Sequence, residues 1–204
     1  MVIEGKAFPW PQKGDNLFVE RGDRDYNAVL NGRRDNLSLF AVGYKKAGEM
    51  LVETVMKSRR DHDSLVFPIA FVYRQYLELR LKQLIRDSKR LLDDASGFPV
   101  THKIAELWTM CRPLLNRIEL NVGEQVLDAI EELIAAFADG DEDSYAFRYP
   151  TDTKNNPSLP DLSYVNLPNL AEVIKKMANF LEAVSWQVSV TLEQKRGSTN
   201  EIER

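Results

Sequence analysis

Apolar residues recur at alternating intervals of three and four along most of this chain, and this spacing constrains the fold more than any other feature. Such intervals place the side chains on one face of an α-helix. Five segments follow the pattern, and no segment alternates apolar and polar residues long enough to predict a strand. We therefore predict an all-α protein, an antiparallel bundle of about five helices.

Each predicted helix has one apolar face that we expect to be buried. In the first helix it comprises Leu37, Phe40, Tyr44, Ala47, Leu51 and Val55. In the second it comprises Val66, Ala70, Tyr73, Leu77, Leu81 and Leu84. In the third it comprises Ile104, Leu107, Trp108, Cys111 and Leu115, and in the fourth Val126, Ile130, Leu133 and Phe137. In the last it comprises Leu167, Leu170, Ile174, Met177, Leu181, Val184 and Val188.

The chain divides into three predicted parts. Residues 1–35 are rich in Gly, Pro, Asn and Asp and read as an N-terminal arm, residues 36–192 as the helical bundle, and residues 193–204 as a flexible polar tail. In the arm, the aromatic residues Phe8 and Trp10 are expected to pack on the core; the alternative is an arm exchanged between subunits. Residues 140–165 hold four aromatics and predict a long ordered loop before the last helix.

Composition excludes several classes of function. Lys and Arg total 27 and Asp and Glu total 31, so the formal net charge is −4. This balance excludes a surface that is basic throughout but allows a local basic patch. The single cysteine, Cys111, excludes an internal disulfide and a cysteine-rich zinc site, and His62 and His102 leave little room for a histidine cluster. We expect no metal and no cofactor.

The sequence also lacks the common signatures of targeting and catalysis. It has no signal-peptide pattern and no apolar run near the roughly 18 residues of a membrane span, so we expect a cytoplasmic protein without a membrane partner. It contains no P-loop, no glycine-rich dinucleotide turn, no HExxH and no GxSxG.

Two groups of residues are candidates for ligand binding. Arg74, Glu78 and Lys82 are spaced four apart on the second helix; they predict either a ladder of surface ion pairs or a buried polar row facing a groove. Tyr145, Arg148 and Tyr149 lie in the long loop. An arginine between aromatics can stack on a ring and still present its N–H groups to phosphate, or it can be anchored in an aromatic plug of the core.

Other polar residues have both a structural and a functional interpretation. His102 precedes the third helix and is either a structural histidine or a catalytic one. The acidic run 141–143 is either a solvated turn or a site for a divalent ion. Basic residues in and before the first helix either promote solubility or form a patch for RNA; they are Arg33, Arg34, Lys45, Lys46, Lys57, Arg59 and Arg60.

Several short stretches together resemble uncharacterised bacterial helical-bundle proteins related to the HEPN superfamily. The stretches are 43–47 (GYKKA), 67–69 (FPI), 73–82 (YRQYLELRLK), His102 with Leu107 and Trp108, and 147–150 (FRYP). The resemblance spans roughly residues 40–190. It implies a helical bundle that pairs into a homodimer and acts in toxin–antitoxin or anti-phage systems, where many HEPN proteins cleave RNA without a metal.

The chain departs from the catalytic HEPN pattern, in which an arginine is followed after four to six residues by a histidine. None of the positions at that distance before His62 or His102 is an arginine; they hold Val55, Met56, Lys57, Ala95, Ser96 and Gly97. The nuclease residues therefore do not carry over to this chain.

Three hypotheses follow. The first is a non-catalytic HEPN-like protein that binds RNA, a nucleotide or a partner protein, as a homodimer. The second is a divergent metal-free ribonuclease with His102 as acid–base and Arg148 stabilising phosphate charge. The third is a structural adaptor subunit. The absent arginine–histidine motif favours binding over catalysis.

Overall fold

The computed structural model describes residues 2–3, 6–7, 9–30, 37–118 and 122–202. The chain divides into two compact units, Met1–Asp35 and Asn36–Arg204. The larger unit is all-helical, as predicted, and the five predicted helices are all present in it.

The N-terminal unit contains a pair of two-residue antiparallel strands, β1 (Val2–Ile3) and β2 (Lys6–Ala7), which no sequence pattern predicted. A 3₁₀ turn, Arg24–Tyr26, follows. Trp10 is 60% exposed, and Phe8 lies outside the described residues, so the expected packing of the arm's aromatics on the core stays a prediction.

The helical unit consists of five helices. They are α1 (Leu37–Ser58), α2 (His62–Leu91), α3 (Ile104–Arg117), α4 (Glu124–Gly140) and α5 (Leu167–Ile202). Helix α2 packs against α1, α3 and α5, and α4 packs against α3. Because only residues 59–61 separate α1 from α2, the two are antiparallel neighbours.

The central position of α2 explains its unusual burial. Every residue from 80 to 88 is buried, so this stretch is enclosed on all sides although it carries charged side chains. The predicted apolar faces of α2, α3 and α5 form the core of the bundle, with Val66 and Leu170 half-buried at its edge.

The predicted face of α1 is confirmed in part: Val55 is buried, and Tyr44 and Leu51 pack half-buried against the core, but the most buried row lies about one position further along. The residues buried on α1 are Ala41, Gly48, Val52 and Val55, while Phe40 is exposed. Gly48 explains the difference, because a Cβ atom at this position would lie 2.5 Å from Cε1 of Tyr73. The absence of a side chain lets α1 approach α2 at Gly48, so α1 turns this side inward rather than its bulkier apolar residues.

The predicted face of α4 is also confirmed in part: Ile130 is buried, and Leu133 and Phe137 pack half-buried against the core, but the most buried row lies one position further along. Its buried residues are Leu127, Ile130, Ile134 and Ala138, whereas Val126 is exposed. Helix α4 packs mainly on α3, and both rows are apolar enough to satisfy the spacing pattern.

The loop between α4 and α5 is ordered, as predicted. Asp152 accepts hydrogen bonds from the backbone N–H groups of Lys154 and Asn156, and Thr151 forms an isolated bridge with Pro157. Asn166 caps α5 by accepting a hydrogen bond from the N–H of Asn169. Helix α5 then continues past residue 192, where a flexible tail was predicted, and ends at Ile202.

Candidate functional site

Arg74 is completely buried and joins three separate segments of the helical unit. Its Nη1 donates to Glu78 Oε2 at 3.0 Å, one turn further along α2. Its Nη2 donates to the carbonyl oxygens of His102 and Glu142 at 2.6 and 3.3 Å, and its Nε to that of Asp141 at 3.2 Å. The start of α3 and the end of α4 are thereby tied to the central helix.

Glu78 also accepts hydrogen bonds from Lys82, one turn further along α2, and from His102, which precedes α3. Its Oε1 lies 2.9 Å from Lys82 Nζ and 2.8 Å from His102 Nδ1. Burial acts to raise the pKa of Glu78, but the hydrogen bonds from Lys82 and His102 outweigh it and hold the pKa below its ordinary value of 4.5. The Arg74–Glu78–Lys82 row is therefore buried and not a surface ladder.

The side chain of His102 is 68% exposed although its Nδ1 contacts a buried carboxylate. An ionised carboxylate can only accept a hydrogen bond, so the geometry assigns the proton to Nδ1. In the neutral ring, Nε2 is then the basic nitrogen. A buried acid that orients an exposed imidazole is an arrangement suited to proton transfer.

In the acidic run after α4, Asp141 is buried and makes structural contacts, whereas Glu142 and Asp143 are exposed. Asp141 Oδ1 accepts the backbone N–H groups of Tyr145 and Ala146 at 2.6 and 2.8 Å, and its Oδ2 lies 3.5 Å from Arg74 Nε. Glu142 and Asp143 instead pair with Lys103. These contacts turn the loop back towards α2.

The predicted cluster of Tyr145, Arg148 and Tyr149 forms in this turned loop. The two tyrosine rings stack with their centres 4.6 Å apart. Arg148 is exposed, and its guanidinium lies 5.6 Å from the ring centre of Tyr149 and 5.8 Å from that of Phe71 on α2. Its Nε donates to the Ser144 carbonyl at 2.6 Å. The backbone thus anchors one edge of the guanidinium, and the exposed side chain can offer its Nη groups to an anion.

The structure does not bring His102 and Arg148 into contact. His102 contacts Glu78, while Arg148 contacts Ser144, Phe71 and Tyr149. Within the part of the chain that the structure describes, no hydrogen bond joins the two side chains. The sequence-based pairing of a base with a phosphate-binding arginine therefore stays a prediction.

Metal binding has no support from side-chain clustering. Among the described residues, no group of three or more His, Cys, Asp or Glu is arranged to hold a metal ion. Burial raises the pKa of the Cys111 thiol to about 12, so this cysteine is an inert core residue and not a nucleophile.

The basic residues of α1 are partly engaged in ion pairs. Lys45 Nζ lies 2.9 Å from Glu182 Oε1 on α5, and Lys57 pairs with Glu53 on its own helix. Arg33 and Arg34 lie outside the described residues.

A second buried arginine on the central helix, Arg80, was not predicted from the sequence. Arg80 is 4% exposed, and Gln83 beside it is also buried. Its position, six residues after Arg74 within the same apolar segment, was a signal that could have identified it.

Comparison of the chain with protein-family models, with curated proteins and with solved structures gives no match. None of the helices in the described part of the chain has both the length and the apolar character required to cross a membrane.

Proposed function

We propose that this chain is a non-catalytic HEPN-like helical protein that binds RNA or a nucleotide in the bacterial cytoplasm, in anti-phage defence or a toxin–antitoxin system. The observation that carries the proposal is the exposed Arg148 held between the rings of Tyr149 and Phe71. Proteins that bind single-stranded nucleic acid combine such cations with aromatic rings on which bases stack. The stacked Tyr145–Tyr149 pair supplies the aromatic surface.

The binding test is fluorescence anisotropy of a labelled single-stranded RNA with the wild type and with Arg148→Gln and Tyr149→Ala. We expect each substitution to weaken binding about tenfold or more, since base stacking contributes roughly 1–3 kcal/mol. Arg117→Gln is the matched control, because Arg117 is an exposed arginine at the end of α3. Absence of RNA binding, or equal losses in all three variants, would refute the assigned surface.

We further propose that the protein acts as a homodimer or binds a protein partner through α1. This helix exposes several large apolar side chains to solvent: Leu39, Phe40, Val42, Met50 and Met56. Light scattering coupled to gel filtration tests the dimer. We expect twice the chain mass for the wild type and a shift towards the monomer in Phe40→Glu; a monomeric wild type contradicts the dimer.

A metal-free ribonuclease is the second candidate function, and His102 is the residue that favours it. The exposed His102 Nε2 can accept the proton of a ribose 2′-hydroxyl while Glu78 holds Nδ1. The 2′-oxygen then attacks phosphorus to form a 2′,3′-cyclic phosphate, the bond between phosphorus and the 5′-oxygen breaks, and the 5′-oxygen takes a proton from water. In this candidate function, Arg148 stabilises the negative charge on the phosphate.

Incubation with labelled cellular RNA in EDTA distinguishes the two candidates. Cleavage that disappears in both His102→Ala and Arg148→Ala supports the ribonuclease. Intact RNA on a denaturing gel, together with a retarded band on a native gel, supports the binding protein.

A further inference from the structure

A cleft of about 610 Å³ lies between α1, α2 and α5, on residues that the Arg148 cluster does not share. Its charged lining consists of Lys45 and Lys46 from α1, Arg80 from α2, and the acids Glu49 and Glu182. This volume falls within the range of small-molecule sites, about 300–1,000 Å³.

Arg80 is the unusual residue of this cleft, because it is 4% exposed yet makes few polar contacts. Nη1 donates to Gln83 at 2.8 Å, and Nη2 is 3.9 Å from Glu182 Oε1, too far for a hydrogen bond. Within the described part of the chain, its Nε has no hydrogen-bond partner. A buried guanidinium with incomplete hydrogen bonding lowers the stability of the folded chain unless an anion compensates its charge.

Glu182 compensates the charge of Arg80 only in part, because its Oε1 forms an ion pair with Nη2 at 3.9 Å while other groups donate hydrogen bonds to it. Its Oε1 accepts hydrogen bonds from Lys45 Nζ at 2.9 Å and from the Tyr76 hydroxyl at 3.3 Å. Nε and Nη2 of an arginine form the two-pronged edge that matches a carboxylate. At Arg80 these are the two groups without a close partner, and Arg80 lines the cleft.

The charges of the lining favour a ligand with a single negative charge. Three cations, Lys45, Lys46 and Arg80, face two acids, Glu49 and Glu182, which leaves one positive charge. A carboxylate neutralises it, whereas a phosphate monoester at neutral pH carries more charge than the cleft can balance.

Two residues give one part of the cleft an apolar surface, while the rest of its uncharged lining is polar and consists of Ser38, Gln83, Ser185 and Ser189. Trp186 is 70% exposed and Val42 is 48% exposed, and both line the cleft. An exposed indole offers a flat apolar face on which a ring can stack. The cleft therefore combines an under-compensated cation with an aromatic surface.

We propose that this cleft binds a small organic carboxylate, with its carboxylate on Arg80 and Lys46 and its apolar part against Trp186. This site is separate from the RNA-binding surface and does not depend on it.

The test is a titration of the full chain with benzoate, followed by NMR of the Trp186 indole N–H, which Trp186→Phe assigns. We expect a saturable shift of this signal. Benzamide, the uncharged analogue, and phenyl phosphate, the more highly charged one, should each bind at least about tenfold more weakly.

Two variants locate the carboxylate. Arg80→Met should raise the apparent Kd about tenfold or more, and Lys46→Ala, at an exposed position that does not threaten the fold, should raise it several-fold. The matched control is Lys57→Ala, which removes a charge from α1 outside the cleft and should leave the Kd unchanged. Arg148→Gln should also leave it unchanged, so the proposed RNA-binding function can fail while the cleft still binds its ligand.

Three results would overturn the proposal. The first is no saturable shift with benzoate. The second is equal affinity for benzamide or phenyl phosphate. The third is a Kd that neither Arg80→Met nor Lys46→Ala changes, or that Lys57→Ala changes as much.

Discussion

Arg74 and Arg80 lie six residues apart on the same helix and are both buried, but their surroundings differ. Arg74 donates four hydrogen bonds, three of them to backbone carbonyls of the α3 and α4 termini. Arg80 donates one, to Gln83; it also lies 5.8 Å from the centre of the Tyr76 ring and 3.9 Å from Glu182 Oε1. The carbonyls at the helix ends therefore satisfy Arg74, whereas Arg80 depends on Gln83 and a longer ion pair with Glu182.

The largest expected effect is that of Arg74→Met. It leaves Asp141 buried without its cation and Glu78 with Lys82 as its remaining cation, and it leaves three backbone carbonyls without their donor, so the free energy of unfolding should fall by about 3–5 kcal/mol. Urea denaturation followed by circular dichroism measures it. Arg74→Lys should restore little of the loss, because an ammonium cannot reach the four acceptors of the guanidinium. A loss under about 1 kcal/mol would show that the network is not structural.

Gly48→Ala tests the close approach of α1 to α2 at the point where Gly48 faces the Tyr73 ring. The new Cβ would lie 2.5 Å from the Tyr73 ring, so the free energy of unfolding should fall by about 1–3 kcal/mol. A Cβ atom at Gly43, on the same helix, would have no neighbouring atom within 4 Å. Gly43→Ala should therefore stabilise the protein by roughly 0.5–1 kcal/mol, and equal effects of the two substitutions would contradict this packing.

The stability that the Arg74 network contributes should also depend on pH, because the network contains the carboxyl group of Glu78. Its folded-state pKa is lowered below 4.5, so its stabilising contribution is present above that value and is lost as the pH falls through the lowered pKa. Thermal unfolding across the acidic range should show a smaller loss of stability in Glu78→Gln than in the wild type.

Glu172→Gln is the control for this pH dependence. The hydrogen bond from Lys176 lowers the pKa of Glu172 too, but this residue is exposed. We expect its pH profile to stay close to that of the wild type. A profile of Glu78→Gln that is no flatter than this control would argue against an ionised, buried Glu78.

The smallest expected effect is that of Arg80→Met. The substitution removes a poorly compensated buried cation and keeps most of the side chain's apolar bulk. The free energy of unfolding should therefore fall by less than about 1 kcal/mol, or increase. Thermal unfolding measures it beside Arg74→Met. A loss as large as that of Arg74→Met would remove the distinction between the two arginines.

The spacing of apolar residues was sufficient to predict the buried face of a helix where one row of side chains was clearly more apolar than the neighbouring rows. The faces of α2 and α5 are of this kind, and both were predicted correctly. In α1 and α4 two adjacent rows satisfy the same spacing, and small residues decided between them. Gly48 and Ala138 face inward because they permit close packing, which a pattern based on hydrophobicity does not register.

The polar site was predicted only in part. The interval of four placed Arg74, Glu78 and Lys82 on one stripe, and the loop sequence brought Arg148 together with two tyrosines. The partners of Arg74 lie 28, 67 and 68 residues away, and they are backbone carbonyls, which no side-chain motif identifies. The position of His102 over Glu78 depends on the same long-range contacts.

The sequence by itself determined the helices, because the apolar spacing, Asn166 as a cap and Gly140 as a terminus act within a few residues. Tertiary structure decided which charges are compensated. Enclosing α2 on all sides buried three arginines, Arg74, Arg80 and Arg86, and only the folded chain shows that the helix termini reach Arg74 and not Arg80. Burial and hydrogen-bond satisfaction are properties of packed surfaces, whereas helical spacing is a property of neighbouring residues.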